Sequence, residues 1–178
     1  MKNKRRAPNV IRSIAFSNRT SNWVSFSILA EETPKTRAKV YTNMVNLLMG
    51  LKAFQNFSGI MAVLAGLNMS PITRLKHTLK EVSPKVLKTQ QAFTEMMRSV
   101  SSFKAYRGAL RLSTGPAVPF LGVTLSDLTF LEDGNPDLTP DGFINWQKRT
   151  LLARVLIDLT EAQRTCKYES SENITGNR

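Results

Sequence analysis

The chain of 178 residues carries a single cysteine, Cys166, and a single histidine, His77. One thiol cannot close an internal disulfide, which fits a reducing compartment. One histidine and one cysteine cannot build a structural zinc site without a cluster of carboxylates, and the sequence holds no such cluster. His77 reads as a surface residue of a short helix over 75–80. Cys166 reads as a thiol beside a polar tail rather than a nucleophile. No glycine-rich phosphate-cradling loop occurs, so the chain does not look like a nucleotide enzyme, and no metal or cofactor is expected. No run of 18 or more apolar residues is present, as a membrane-spanning helix requires. Nor does a long apolar run follow the basic residues 1–6, as a secretory signal would demand.

Acidic residues are also scarce. Against 25 Lys+Arg stand 13 Asp+Glu, a formal net charge of +12. Such a field favours an acidic partner, whether nucleic acid, an anionic membrane surface or an acidic protein. Zinc-finger spacing, the RNA-recognition aromatic motif and a basic heptad region are all missing, so nucleic acid is not expected. An anionic membrane surface is compatible with the charge, although no lipidation motif is visible. Lys2, Lys4, Arg5 and Arg6 form the one dense basic cluster and read as a solvated tail, with membrane or nuclear-import roles as alternatives.

What the sequence does contain is helical periodicity and helix punctuation. Hydrophobic residues make up 42% of the chain, enough for a core, and strand-like alternation bounded by hairpin turns is absent. A hydroxyl followed by proline recurs at Thr33-Pro34, Ser70-Pro71, Ser83-Pro84 and Thr139-Pro140. Each reads as a helix start, because the hydroxyl accepts from an orphan N–H and proline surrenders a donor that had no partner. After Pro34 an apolar stripe runs through Val40, Met44, Leu47, Leu48, Leu51 and Phe54. A helix over 10–29 is expected to bend or break near Asn18-Arg19-Thr20. Residues 57–67 are apolar nearly all round and predict a helix buried on most sides. From Pro84 to about Leu112 the helical pattern is more polar and is interrupted near Ser101-Ser102. Gly134-Asn135-Pro136 reads as a short turn between a helix ending at Asp133 and one starting near Gly142. The expectation is an all-α fold of roughly eight helices: a single irregular helical domain with a protruding C-terminal helical hairpin.

One stretch is more particular than core patterning requires: Pro119-Phe120-Leu121-Gly122-Val123-Thr124-Leu125-Ser126-Asp127-Leu128-Thr129-Phe130-Leu131-Glu132-Asp133-Gly134-Asn135-Pro136-Asp137. It resembles the signature of the Ras guanine-nucleotide exchange factor (RasGEF) catalytic domain. Further landmarks follow in the family's order: Pro8-Asn9-Val10, Ser21-Asn22-Trp23-Val24, Asn56-Phe57, residues 67–75, Tyr106-Arg107 with Leu110-Arg111, and residues 144–149. The resemblance divides the chain into a basic tail at 1–7, the catalytic domain at 8–165 without its usual N-terminal helices, and a disordered tail at 166–178. Lacking those helices, an isolated chain is expected to expose apolar surface.

The resemblance implies a Ras-family small GTPase as partner, preferred in its nucleotide-free form. It also implies a cytoplasmic protein recruited to the inner face of a membrane. The hairpin would wedge the first switch loop open, while a bowl grips the second switch. By position, Asp133 corresponds to the acidic residue near the phosphate site, Thr129 to the residue obstructing the Mg²⁺ site, and Ser126 to a hairpin residue touching the GTPase. Met61, Asn68, Phe103, Arg111 and Phe120 correspond to the bowl. On pattern alone, Met61 and Phe120 read equally as core and Asn68 as a helix cap. Asp133 then reads as a turn start, Arg111 as a solvated charge, and Ser126, Thr129 and Phe103 as helix surface. Asp133 and Thr129 depart from the Glu and Leu common at their positions. The alternative functions are a GTPase-binding fragment weak or inactive in exchange and, behind it, a basic nucleic-acid-binding helical protein.

Overall fold

A computed structural model describes residues 7–165. The basic cluster at 2–6, Cys166 and the expected disordered tail lie outside the described residues. Nine helical elements and no strand are found among those described: α1 (Pro8–Leu29), α2 (Pro34–Ala53), α3 (Phe57–Leu67), α4 (Ser70–Thr73), α5 (Lys76–Glu81), α6 (Pro84–Met96), α7 (Val100–Arg111), α8 (Leu121–Gly134) and α9 (Trp146–Thr165). The all-α expectation holds. No described helix is long and apolar enough to cross a membrane. The chain divides into two compact units, one up to Leu112 and one from Ser113.

In the first unit α3 is the central element. Phe57, Ile60, Ala62, Val63, Leu64, Gly66 and Leu67 are buried on it, as its all-round apolar sequence requires. Asn56 starts it, accepting the Gly59 N–H at 2.8 Å. α1 and α2 pack against it. Thr33 closes a capping box with Thr36 at the start of α2, and Ser83 accepts from the Val86 N–H at the start of α6. The buried face of α2 is Ala38, Tyr41, Met44, Val45 and Leu48. Leu47 and Phe54 of the expected stripe point to solvent instead.

Two sequence expectations need correction. α1 is continuous through Asn18-Arg19-Thr20. The Thr20 hydroxyl donates back to the Phe16 carbonyl at 3.1 Å, so it spends its bond within the helix instead of breaking it. Ser21, one residue on, donates to Ala62 O of α3 at 2.8 Å. Thr139-Pro140 does not open a helix. Gly142 N–H donates to Thr139 O at 2.9 Å, closing a turn with proline in its second position, and Gly142 sits at φ +82°, where glycine is favoured. α9 therefore begins at Trp146 rather than near Gly142, and the link between α8 and α9 is an eleven-residue excursion over 135–145. A single antiparallel bridge, Leu138 with Ile144, closes it.

Exposed apolar surface is present among the described residues. Phe16, Trp23 and Phe26 are 64%, 52% and 71% exposed. With Arg19 they form an i, i+3, i+7, i+10 ridge on α1, opposite its buried Ser21, Val24, Ser25 and Ile28.

Candidate functional site

The residues assigned to the bowl in the first unit share a connected frame. Phe57, Met61, Leu64 and Asn68 stand at helical spacing along one ridge of α3. Phe57 is fully buried and Met61 half-buried. The Phe57 ring meets Tyr106 edge-on at 5.5 Å, Tyr106 meets Phe103 edge-on at 6.4 Å, and the Lys52 ammonium lies 5.0 Å above the Phe57 ring. This ring chain carries Phe103 of α7 toward the α3 ridge. Such pairs contribute roughly 0.5–1.5 kcal/mol each beyond burial.

Phe103 reaches that position through unusual backbone. Ser101, Ser102 and Phe103 all have positive φ, at 50°, 54° and 61°. The interruption expected near Ser101-Ser102 is thus a left-handed turn. Each non-glycine residue held so costs about 1–2 kcal/mol. The Arg107 Nε–H braces the turn by donating to Ser102 O at 2.7 Å. Arg111 is exposed in the last turn of α7, where its charge also suits the helix dipole.

Asn68 caps α3, its N–H donating to Leu64 O at 2.9 Å. Its φ is −91°, so the backbone does not demand asparagine there. The side chain is held by a relay that sequence reasoning missed. Tyr41 Oη–H donates to Gln90 Oε1 at 2.6 Å, and Gln90 Nε2–H donates to Asn68 Oδ1 at 3.2 Å. The relay fixes the direction of the amides and leaves the Asn68 Nδ2 protons to meet an acceptor elsewhere. Burial pushes the Tyr41 phenol up to about 12, so spectrophotometric titration should find one tyrosine ionising near there instead of near 10. Tyr41→Phe strands Gln90 Oε1 and should lower stability by about 1–2 kcal/mol in urea denaturation. An unchanged midpoint would mean the relay carries no energy.

In the second unit, Ser126, Thr129 and Asp133 lie on one exposed ridge of α8 at i, i+3 and i+7. Thr129 Oγ1–H donates back to Leu125 O at 2.9 Å, leaving its methyl and lone pairs outward. The exposed Asp133 side chain makes no hydrogen bond or ion pair with any described residue. Beside them Phe130 is 74% exposed, and its signal was an aromatic on the polar side of the helix. Phe120 is half-buried and precedes the first turn of α8. Its ring folds over Gly122, where an added Cβ would collide with Cζ and Cε1. That fold-over explains a glycine in a helix's first turn.

The link beyond the ridge is built on Asn145 and Lys148. Asn145 Oδ1 accepts the Lys148 N–H at 3.1 Å, capping α9, while its Nδ2–H donates to Pro136 O at 3.0 Å. A hydrogen bond from Lys148, joined by the nearby Arg149 charge, holds the Asp137 carboxyl below its ordinary range. The same bond raises the Lys148 ammonium. Asp137 thus contributes stability above its ordinary value of 3.8, and that stability is lost as pH falls through the lower folded value. Among the described residues, no group of three or more His, Cys, Asp or Glu could hold a metal ion.

Compared with known proteins, the chain matches the RasGEF domain family model over residues 1–150. It is 40% identical over 166 residues to Ras guanine nucleotide exchange factor R of Dictyostelium discoideum, covering 93% of this chain and 10% of that protein. It is 38% identical over 161 residues to exchange factor P of the same organism, covering 90% and 11%. With exchange factor A it shares 36% identity over 166 residues, covering 90% and 27%. The chain spans about a tenth of the length of the first two relatives.

Proposed function

We propose, because the chain belongs to the RasGEF domain family, that it promotes release of GDP from a Ras-family small GTPase. The observation that carries the reading is the exposed Ser126–Thr129–Asp133 ridge on α8. It offers a carboxylate, a compact β-branched side chain and a hydroxyl along one edge, where an inserted helix would meet a nucleotide pocket.

No covalent chemistry is required. A GTPase holding GDP at picomolar affinity, about −16 kcal/mol, releases it slowly. A protein that binds the empty form better than the loaded form accelerates that release, and nucleotide must weaken its binding by the same ratio. In this reading Asp133 puts negative charge where phosphate would return, repelling it at close range. Thr129 crowds the Mg²⁺ position, and Ser126 contacts the switch. Met61, Asn68, Phe103, Arg111 and Phe120 hold the second switch, Asn68 by donating through Nδ2.

A second reading, binding without productive exchange, is favoured by the side chains on that ridge. Asp133 and Thr129 are both short, and Thr129 turns its hydroxyl back into the helix. The two readings share a test of preference. The immobilised chain should retain nucleotide-free Ras-type GTPase and release it when GDP and Mg²⁺ are added. Equal retention of empty and loaded forms would exclude exchange, and retention of neither would exclude both readings.

A further inference from the structure

The ends of α8 and α9 carry the wrong charges for their own helices. α8 closes on Glu132 and Asp133, with no basic residue in its last turn, so two carboxylates meet the negative end of its dipole. α9 opens on Lys148 and Arg149 with no acid in its first turn, so two cations meet its positive end. Each terminus is disfavoured by itself.

The side chains compensate across the link. Lys148 Nζ–H donates to the Glu132 main-chain carbonyl at 3.0 Å, a group that the end of α8 leaves without a helical partner. The same nitrogen lies 3.3 Å from Glu132 Oε1 and 3.0 Å from Asp137 Oδ1, and Arg149 Nη2 reaches Asp137 Oδ1 at 2.8 Å. One carbonyl oxygen thus accepts a hydrogen bond from the ammonium, and two carboxylate oxygens neutralise its charge within 3.3 Å. The Lys148 side chain is only 2% exposed, while those of Glu132 and Asp137 are 54% and 59% exposed. Lysine is almost never this covered unless paired. Asn135 completes the arrangement by donating from Nδ2 to Leu131 O at 3.0 Å.

Asp133 is the residue immediately after the carbonyl that Lys148 holds. We propose that Lys148 is a positioning residue: it clamps the last turn of α8 from the start of α9 and so keeps Asp133 on the ridge with Ser126 and Thr129. The inference rests on the exchange reading above. Without the ammonium, the acidic end of α8 frays, and unwinding by one residue swings a side chain by about 100° around the helix.

The test uses the full chain with Lys148→Met, which keeps the unbranched apolar stem, one atom shorter, and removes the charge and donors. Its maximal rate of GDP release should fall about five- to tenfold, with affinity for nucleotide-free GTPase changed less than about twofold. Combined with Asp133→Ala, the added effect of Lys148→Met should shrink to less than about twofold, because both act through one carboxylate. Multiplying effects, or equal loss of rate and affinity, would overturn the proposal. Should Lys148→Met fail to fold by circular dichroism, Asp137→Asn decides. It removes the negative charge that faces Lys148 and Arg149 and should give a smaller drop in rate with the same non-additivity, and additivity there overturns the clamp. Amide hydrogen exchange separates failure of the clamp from failure of the exchange reading. Lys148→Met should speed exchange about tenfold or more at 131–137 and leave α1 to α6 unchanged, whether or not the wild type releases GDP. Unchanged protection at 131–137 would sink the clamp alone.

Discussion

Alanine at position 66 is expected to destabilise the first unit by about 2 kcal/mol, within the usual range for overpacking a core. A Cβ there would stand 2.6 Å from Ser21 O, 2.7 Å from Val24 Cβ and 2.9 Å from Val24 Cγ1. The first of these is backbone of α1 and cannot swing aside. Nor can α1 retreat cheaply, since Ser21 is bonded to Ala62 O of α3 at 2.8 Å. Elsewhere in a helix the same change gains about 1 kcal/mol, and Gly50 supplies the control, with nothing within 4 Å of its added Cβ. Urea denaturation should show Gly66→Ala lowering the midpoint and Gly50→Ala raising it, with similar slopes. A raised midpoint for Gly66→Ala would mean that α1 and α3 do not approach this closely.

The second large effect is on function. Asp133→Ala should slow GDP release about tenfold, the scale of one like-charge repulsion of a little over 1 kcal/mol between exposed groups at close range. Binding of nucleotide-free GTPase should be much less affected, because all the bowl residues but Phe120 lie on other elements. Stability should barely move, since Asp133 is exposed and its charge opposes the dipole of α8. Asp133→Asn separates charge from shape and should resemble alanine if charge is what acts. Equal loss of release rate and apo-GTPase affinity would instead make Asp133 an ordinary contact residue.

The sequence was most legible where structure is set locally. The bounds of α3, the caps at Thr33 and Ser83, and the interruption near Ser101-Ser102 all follow from residues within one or two turns. Thr139-Pro140 misled because proline suits both the first turn of a helix and the second position of a β-turn, and only Gly142 tells them apart. The polar triplet at Asn18 suggested a break, yet contact with α3 on the opposite face holds α1 straight. The least legible features join distant residues. Tyr41, Gln90 and Asn68 come from three elements, and nothing around Lys148 in sequence announces that its ammonium is buried. The candidate site residues were found by resemblance to a family, since their pattern alone reads as core, cap or surface. The structure adds which of them share a ridge and what holds them there.

The most direct measurement is the dissociation rate of fluorescent GDP from Ras, Rap and Ral GTPases, with excess unlabelled nucleotide and increasing amounts of the chain. The account predicts that the rate climbs and saturates for at least one of them, and that Asp133→Ala lowers the plateau. Release that stays at its intrinsic rate with every GTPase, at concentrations where the chain is folded, would contradict it.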